Sequence, residues 1–243
     1  MNKKLLTIFE YLKELFPSPQ TELHYSTPFQ FVVAVMLSAQ ATDVQVNKVT
    51  DKIFQKIKTS EDLLKIGFAS FERSINSVNY YHSKAKHIRE TASLLMKNEK
   101  WKTKNEWKKY KDWIPDTLEE LMKLPGIGVK TWKLIAHVLY DQPFIAVDTH
   151  IHRVSNRLGL VKSPILKDTS PFKIKGRHAI TPEKTSELLE KLIPDSYKDH
   201  AHHALVLFGR YYCKAQKPLC ESCKLQKICH YYTTTIVSSK AKK

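Results

Sequence analysis

The sequence predicts an almost entirely α-helical protein. Helix start signals recur along the chain while the alternating pattern of strands does not, and apolar residues repeat at helical spacing. At 243 residues and 42% hydrophobic, the chain is long enough for one large or two modest domains, each with its own core.

The elements follow in order. In MNKKLLTIFEYLKELFP the apolar residues Leu5, Ile8, Phe9, Leu12, Leu15 and Phe16 fall on one helical face rather than in a continuous secretory core. No export signal is visible, which places the chain in the reducing cytoplasm. Thr27-Pro28-Phe29-Gln30 offers an N-cap, a proline at the first helical position and a capping-box glutamine. The apolar run Phe31 to Leu37 that follows falls well short of the ~20 residues needed to span a bilayer and reads as a buried helix ending near Ser38-Ala39-Gln40. Ser83 caps a segment with Ile88, Ala92 and Leu95 on one face. Asp116, with Glu119 three residues on, starts a short helix of Leu118, Leu121 and Met122 that Pro125-Gly126 stops. A further helix runs from about Val129 to Tyr140, and there is no internal repeat.

Three stretches break this pattern. Residues 97–114 carry seven lysines and three of the four tryptophans without clean helical spacing. They read as a solvated surface loop or as an added contact to the protein's partner. Residues 161–182, with Pro164, Pro171, Gly176 and Pro182, read as a long connection. The tail after Tyr232 reads as frayed and basic.

Charge narrows the partner. Forty Lys+Arg against 24 Asp+Glu leave +16, a surplus that points to a polyanion, either nucleic acid or an acidic membrane face. With no apolar stretch long enough for a membrane span, nucleic acid is favoured.

The stretch LPGIGVKTWK, Leu124 to Lys133, spends two of only six glycines two residues apart. Between two helices it forms a helix–hairpin–helix. Without side chains at Gly126 and Gly128 the backbone can approach a phosphate closely, and the positive end of the second helix faces it. Trp132, Ile135, Ala136 and Leu139 form the apolar face of that helix, while Lys130, Lys133 and His137 line another. At Lys130 the helix dipole and Lys133 both disfavour an ammonium, which prepares the amine for Schiff-base chemistry. The plainer reading makes Lys130 one more phosphate contact.

In AVDTHIHRV, Ala146 to Val154, Asp148 is placed to cap a helix, and near a nucleophilic lysine it could also steady positive charge and shuttle protons. His150 and His152 point to different faces, which argues against a shared metal. All four cysteines fall in Cys213-x6-Cys220-x2-Cys223-x5-Cys229. In a chain that is not exported, such a cluster means a metal site much more often than two disulfides. Spacing alone leaves a structural Zn(Cys)4 site and a cubane iron–sulfur cluster open. Lys214, Lys217, Lys224 and Lys227 are threaded among the ligands, so the loop presents cations outward and reads as a second surface for nucleic acid.

Taken together, LSAQATD (37–43), LPGIGVKT (124–131), AVDTHIHRV (146–154), HHALVLFGRYYC (202–213) and the cysteine spacing resemble the endonuclease III family of DNA base-excision-repair glycosylases, over nearly the whole chain. The resemblance implies a six-helix barrel domain over 22–132 that ends in the hairpin. It implies a discontinuous all-α iron–sulfur domain from 1–21 and 133–232, a flexible basic tail at 233–243, and a DNA-binding cleft between the two domains. It implies that Lys130 attacks C1′ of the damaged nucleotide, that Asp148 assists, and that Cys213, Cys220, Cys223 and Cys229 hold a [4Fe–4S] cluster. The eighteen-residue step from Lys130 to Asp148 fits the family.

The partner implied is double-stranded DNA carrying damaged bases or abasic sites, bound by a monomer in the cytoplasm. Chemistry on a base inside a duplex requires flipping it out of the stack. The family fills the gap with the glutamine of LSAQ, here Gln40, and a leucine from a barrel loop. Here that loop reads Asn79-Tyr80-Tyr81-His82-Ser83-Lys84-Ala85, so the wedge position falls on Tyr80, an aromatic that can stack on the orphaned base or lie buried. The activity implied is a bifunctional glycosylase and lyase that releases oxidised pyrimidines and cleaves 3′ to the lesion through a lysine Schiff base. Mismatch glycosylases of the same superfamily keep the cluster but lack a lysine at the position of Lys130. A non-catalytic DNA-binding protein would use hairpin and metal loop for phosphate contacts alone.

Overall fold

The computed structural model describes residues 3–97, 114–161 and 180–237. Eleven α-helices lie among them: α1 (Lys3–Leu15), α2 (Pro28–Ser38), α3 (Asp43–Ile53), α4 (Ser60–Ile66), α5 (Phe68–Ser74), α6 (Tyr81–Lys97), α7 (Leu118–Leu121), α8 (Val129–Tyr140), α9 (Thr149–Leu158), α10 (Pro182–Leu192) and α11 (Asp195–Tyr211). The described residues contain no strand, and none of their helices is long and apolar enough to cross a membrane. The basic stretch 97–114 and the connection 161–182 lie mostly outside the described residues.

The chain divides into two compact units, one of Glu22–Gln142 and one of Met1–Thr21 with Pro143–Lys243. In the first, α2 is the central helix: every residue from Pro28 to Leu37 is buried, and it packs on α3, α6 and α8. Its start is set locally. Thr27 Oγ1 accepts from the Gln30 amide at 3.2 Å, with Pro28 at the first helical position. Gln30 does not close the expected capping box on the Thr27 amide. Its Oε1 accepts from the Ser26 amide at 2.7 Å, and its Nε2 donates to the Phe54 and Ile57 carbonyls at 3.0 and 2.7 Å. This buried amide thus ties the start of α2 to the end of α3, each of its polar atoms paired as burial demands.

Three boundaries differ from expectation. Thr117, not Asp116, caps α7, because its hydroxyl reaches the Glu120 amide three residues on. α6 begins at Tyr81, so Ser83 lies inside the first turn rather than capping it. A domain boundary at 132/133 would cut α8, which is one continuous helix. The division falls instead at Gln142/Pro143, where Gln142 Nε2 donates to the Asp116 carbonyl at 2.9 Å and the Tyr140 hydroxyl to that of Ile114.

In the second unit the N-terminal helix packs on the C-terminal half of the chain. Phe9 stacks on Tyr197 with ring centroids 5.8 Å apart, Tyr11 meets Phe208 edge-on at 6.2 Å, and His200 Nε2 lies 2.8 Å from the Phe16 carbonyl. Leu5, Ile8, Leu12, Ile151, Val154, Leu189, Leu205 and Phe208 form the core of this unit. α9 and α11 cross closely at Gly209, where a Cβ would stand 2.8 Å from that of His150. The stretch after Tyr232, expected to fray, instead begins with a π-helical turn, Tyr232–Ile236, beyond the last cysteine. The remainder, 238–243, lies outside the described residues.

Candidate active site

The hairpin of the unit Glu22–Gln142 joins α7 to α8. Thr91 Oγ1, on α6, donates to the Pro125 carbonyl at 3.1 Å and braces the turn from below. Gly126 has φ +80, in the left-handed region, and a Cβ there would come within 3.0 Å of His87 Cβ and 3.1 Å of Met36 Cε. Both the backbone and the packing therefore require glycine. Gly128 is different: it is extended, caps α8 with no side-chain hydrogen bond, and a Cβ would meet nothing within 4 Å. The first-turn amides of α8 thus have no capping side chain, beside an open approach suited to an anion.

Lys130 is exposed in that first turn and makes no hydrogen bond or ion pair among the described residues. Lys133, one turn on, is half-buried. His137 does not continue this polar face. It is 2% exposed, with Nδ1 3.2 Å from the Gln142 carbonyl, because α8 runs into the core toward its C-terminus.

A second part of the same unit brings Gln40 and Tyr80 together. Both adopt the left-handed conformation, with φ of 55 and 58, uncommon for residues other than glycine. Asn79 Nδ2 donates to the Gln40 carbonyl at 2.9 Å, and the Gln45 side chain donates to the Ser77 carbonyl, so the turn after α2 is tied to the loop before α6. Tyr80 is 67% exposed, which removes the alternative of a core tyrosine.

Asp148 belongs to the other unit. As the N-cap of α9 its Oδ1 accepts from the His150 amide at 2.9 Å and the Ile151 amide at 2.7 Å. Among the described residues Oδ2 takes no hydrogen bond. The two roles considered for Asp148 therefore do not compete, since one oxygen caps and the other remains available. His150 and His152 go separate ways, the first to Arg153 at 3.2 Å and the second to the Thr185 hydroxyl at 2.9 Å. Burial pushes both imidazoles below the usual histidine range.

The four cysteines are free thiols that line one pocket with Leu158, Phe208, Tyr212 and Tyr231. Arg157, 1% exposed, donates to the carbonyls of Cys213, Lys214 and Ala215 and lies 3.4 Å from Cys213 Sγ, with its guanidinium over the Tyr231 ring. Arg153 adds a bond to the Cys213 carbonyl at 3.0 Å. Burial, and after it the repulsion among neighbouring sulfurs, pushes the Cys223 thiol up to about 11 and raises Cys220 and Cys229. Four thiolates are stable here only around a cation. Of the lysines among the ligands, Lys224 is paired with Glu14.

The sequence alone did not reveal Arg153, Arg157 or the buried Lys84. Their partners are mostly backbone carbonyls more than forty positions away, which no local motif can signal.

A hairpin open to an anion, with a lysine on its second helix and a four-thiol pocket on the other unit, defines a helix–hairpin–helix protein with a candidate metal site. The family model described as HhH-GPD superfamily base excision DNA repair protein matches residues 33–177. Endonuclease III of Rickettsia prowazekii is 40% identical over 98% of this chain and 98% of its own length. The Escherichia coli K12 protein of the same name is 37% identical over 95% of this chain and 97% of its own. A solved structure of a trapped endonuclease III–DNA covalent intermediate, at 33% identity, gives a TM-score of 0.78 and covers 97% of this chain and all of that one. A non-covalent endonuclease III–DNA complex gives the same score at 32% identity. The chain belongs to the endonuclease III family of DNA glycosylase/AP lyases, within the HhH-GPD superfamily.

Proposed function

We propose that this chain binds double-stranded DNA, releases oxidised pyrimidines and cleaves the strand through a Schiff base at Lys130. The observation that carries this reading is an exposed, unpaired lysine in the first turn of the second hairpin helix, beside a glycine that leaves the phosphate approach open. The DNA complexes among the solved relatives support the choice of partner.

Lys130 Nζ, as the neutral amine, forms a bond to C1′ while the bond to the base breaks. Asp148, in the role the family resemblance gives it, takes up the proton of the resulting secondary ammonium and returns it to the ring oxygen as the C1′–O4′ bond breaks, so that the sugar opens to an imine. Loss of the C2′ proton then expels the 3′ phosphate by β-elimination. Gln40 and Tyr80 fill the space left by the flipped nucleotide, and the hairpin amides and Lys133 hold the backbone.

Cys213, Cys220, Cys223 and Cys229 hold a [4Fe–4S] cluster. Four free cysteines lining one pocket, in a chain of the endonuclease III family, support a cluster held by four thiolates. The cluster's contribution is scaffolding for the loop that carries Lys214, Lys217, Lys224 and Lys227.

Borohydride tests the central step. The protein should crosslink to duplex DNA carrying an abasic site or thymine glycol, and Lys130→Gln should abolish the crosslink while keeping most of the binding. Persistent trapping in that variant overturns the assignment.

A further inference from the structure

Lys84 carries no role in the chemistry above, and its placement is unusual for a lysine. It is 8% exposed, in the second half-turn of α6, and its Nζ donates to the Leu37 carbonyl at 2.7 Å and the Ala39 carbonyl at 2.6 Å. These are carbonyls at the C-terminal end of α2 that the helix itself leaves unpaired. Burial pushes the Lys84 amine below its usual value, and a neutral amine still donates both bonds.

The next residue after those carbonyls is Gln40. Its own carbonyl is held by Asn79, and Asn79 precedes Tyr80, whose carbonyl accepts the Lys84 amide at 3.1 Å. A closed loop of hydrogen bonds therefore runs from α6 through the end of α2 and back to the start of α6. Its two members in the left-handed region are Gln40 and Tyr80. Backbone held in that region persists only where the surroundings over-determine it. The bonds from Lys84 and Asn79 are what over-determine it here.

We infer that Lys84 and Asn79 are positioning residues that hold Gln40 and Tyr80 at a fixed spacing, so that both enter the gap left by a flipped nucleotide without first being ordered. Neither need touch DNA. The inference rests on the gap-filling reading of Gln40 and Tyr80 given above. It predicts that a defect at Lys84 acts through Gln40 and is confined to the step at which a paired base leaves the stack. The same α6 face continues through His87 and Thr91 to the hairpin, so one helix sets both sites.

The experiment compares single-turnover base release from a duplex with paired thymine glycol and strand cleavage of the same duplex carrying a pre-formed abasic site, using the full chain with its metal centre. Lys84→Met removes both donors and keeps most of the volume. It should slow base release about tenfold, the worth of one to two buried hydrogen bonds, with a several-fold smaller loss on the abasic site. In a Gln40→Ala background this selective loss should disappear, since the Lys84 side-chain bonds reach the end of α2 that carries Gln40 and no Gln40 side chain then remains there to be positioned. Asn79→Ala, at an exposed site, should show the same selectivity with a smaller loss, and it carries the test if Lys84→Met does not fold.

Equal losses on both substrates, or a selective loss that survives in the Gln40→Ala background, would reduce Lys84 to a structural cap of α2 and overturn the inference. Gln40→Ala and Tyr80→Ala measured alone separate this from the underlying reading. If neither loses preferentially on the paired lesion, the gap-filling assignment itself has failed. If they do while Lys84→Met and Asn79→Ala do not, only the positioning role has.

Discussion

Gly126 and Gly128 stand two residues apart in one turn, and the physical reasons for their lack of a side chain are different. Gly126 is locked by a positive φ and by His87 and Met36 beneath it, so Gly126→Ala should cost about 1–3 kcal/mol in denaturant titration. Gly128 has open space around it. Gly128→Ala should therefore leave the unfolding midpoint nearly unchanged and weaken DNA binding, because the new methyl occupies the phosphate's approach. An equal loss of stability in both variants would remove the distinction. Tyr80 offers a second test at this scale. Since it is exposed, Tyr80→Ala should not lower stability. It should slow base release from a paired lesion by the ~1–3 kcal/mol that stacking supplies, with a smaller loss on a pre-formed abasic site. A variant that loses both reactions equally would send the search for the wedge to Tyr81 and His82.

Helix caps show where the sequence is legible and where it is not. Thr27 with Pro28 announces itself because the Thr27 hydroxyl meets the Gln30 amide three residues on, and the turn of Pro125-Gly126 because the Ile127 amide closes it on the Leu124 carbonyl. The start of α4 has the same local character. Thr59 Oγ1 accepts from the Asp62 amide at 3.2 Å, while Asp62 Oδ2 accepts from the Lys58 and Thr59 amides, both at 3.0 Å. Burial works to raise the Asp62 carboxyl, and these hydrogen bonds together with Lys65 outweigh it, leaving it below its usual value. A carboxyl lowered on folding stabilises above its unfolded pKa and ceases to do so as pH falls through the folded one. Asp62→Ala should therefore cost about 1 kcal/mol near neutral pH, and the gap to the parent should close as titrations are taken below about pH 4. A gap independent of pH would contradict this. His137 shows the opposite case. Its spacing from Lys130 puts it on a polar face, yet the tilt of α8 into the core buries it. Such tilts depend on what α8 packs against, and no heptad-length pattern contains that. Lys84 and Arg157 escape for the same reason, as buried cations whose partners are carbonyls of distant segments.

At the scale of the whole molecule, the cysteine motif and the hairpin motif were readable because both are local in sequence, and the excess of +16 charge agrees with a polyanionic partner. The proposed cluster makes a visible prediction. Aerobically purified protein should be brown, with broad visible absorbance from thiolate-bound iron, and Cys220→Ser should cost solubility and DNA affinity before it affects chemistry at Lys130. A colourless, folded protein with one zinc would contradict the assignment. The central claim is that one side-chain amine among 34 lysines forms the bond to sugar, and it is tested most directly by locating that bond. The complete protein is reduced with borohydride on abasic-site DNA, digested, and the peptide bearing the sugar remnant sequenced by mass spectrometry. The remnant is predicted on Lys130 alone. Finding it on Lys133, Lys84 or the N-terminal amine would contradict the account.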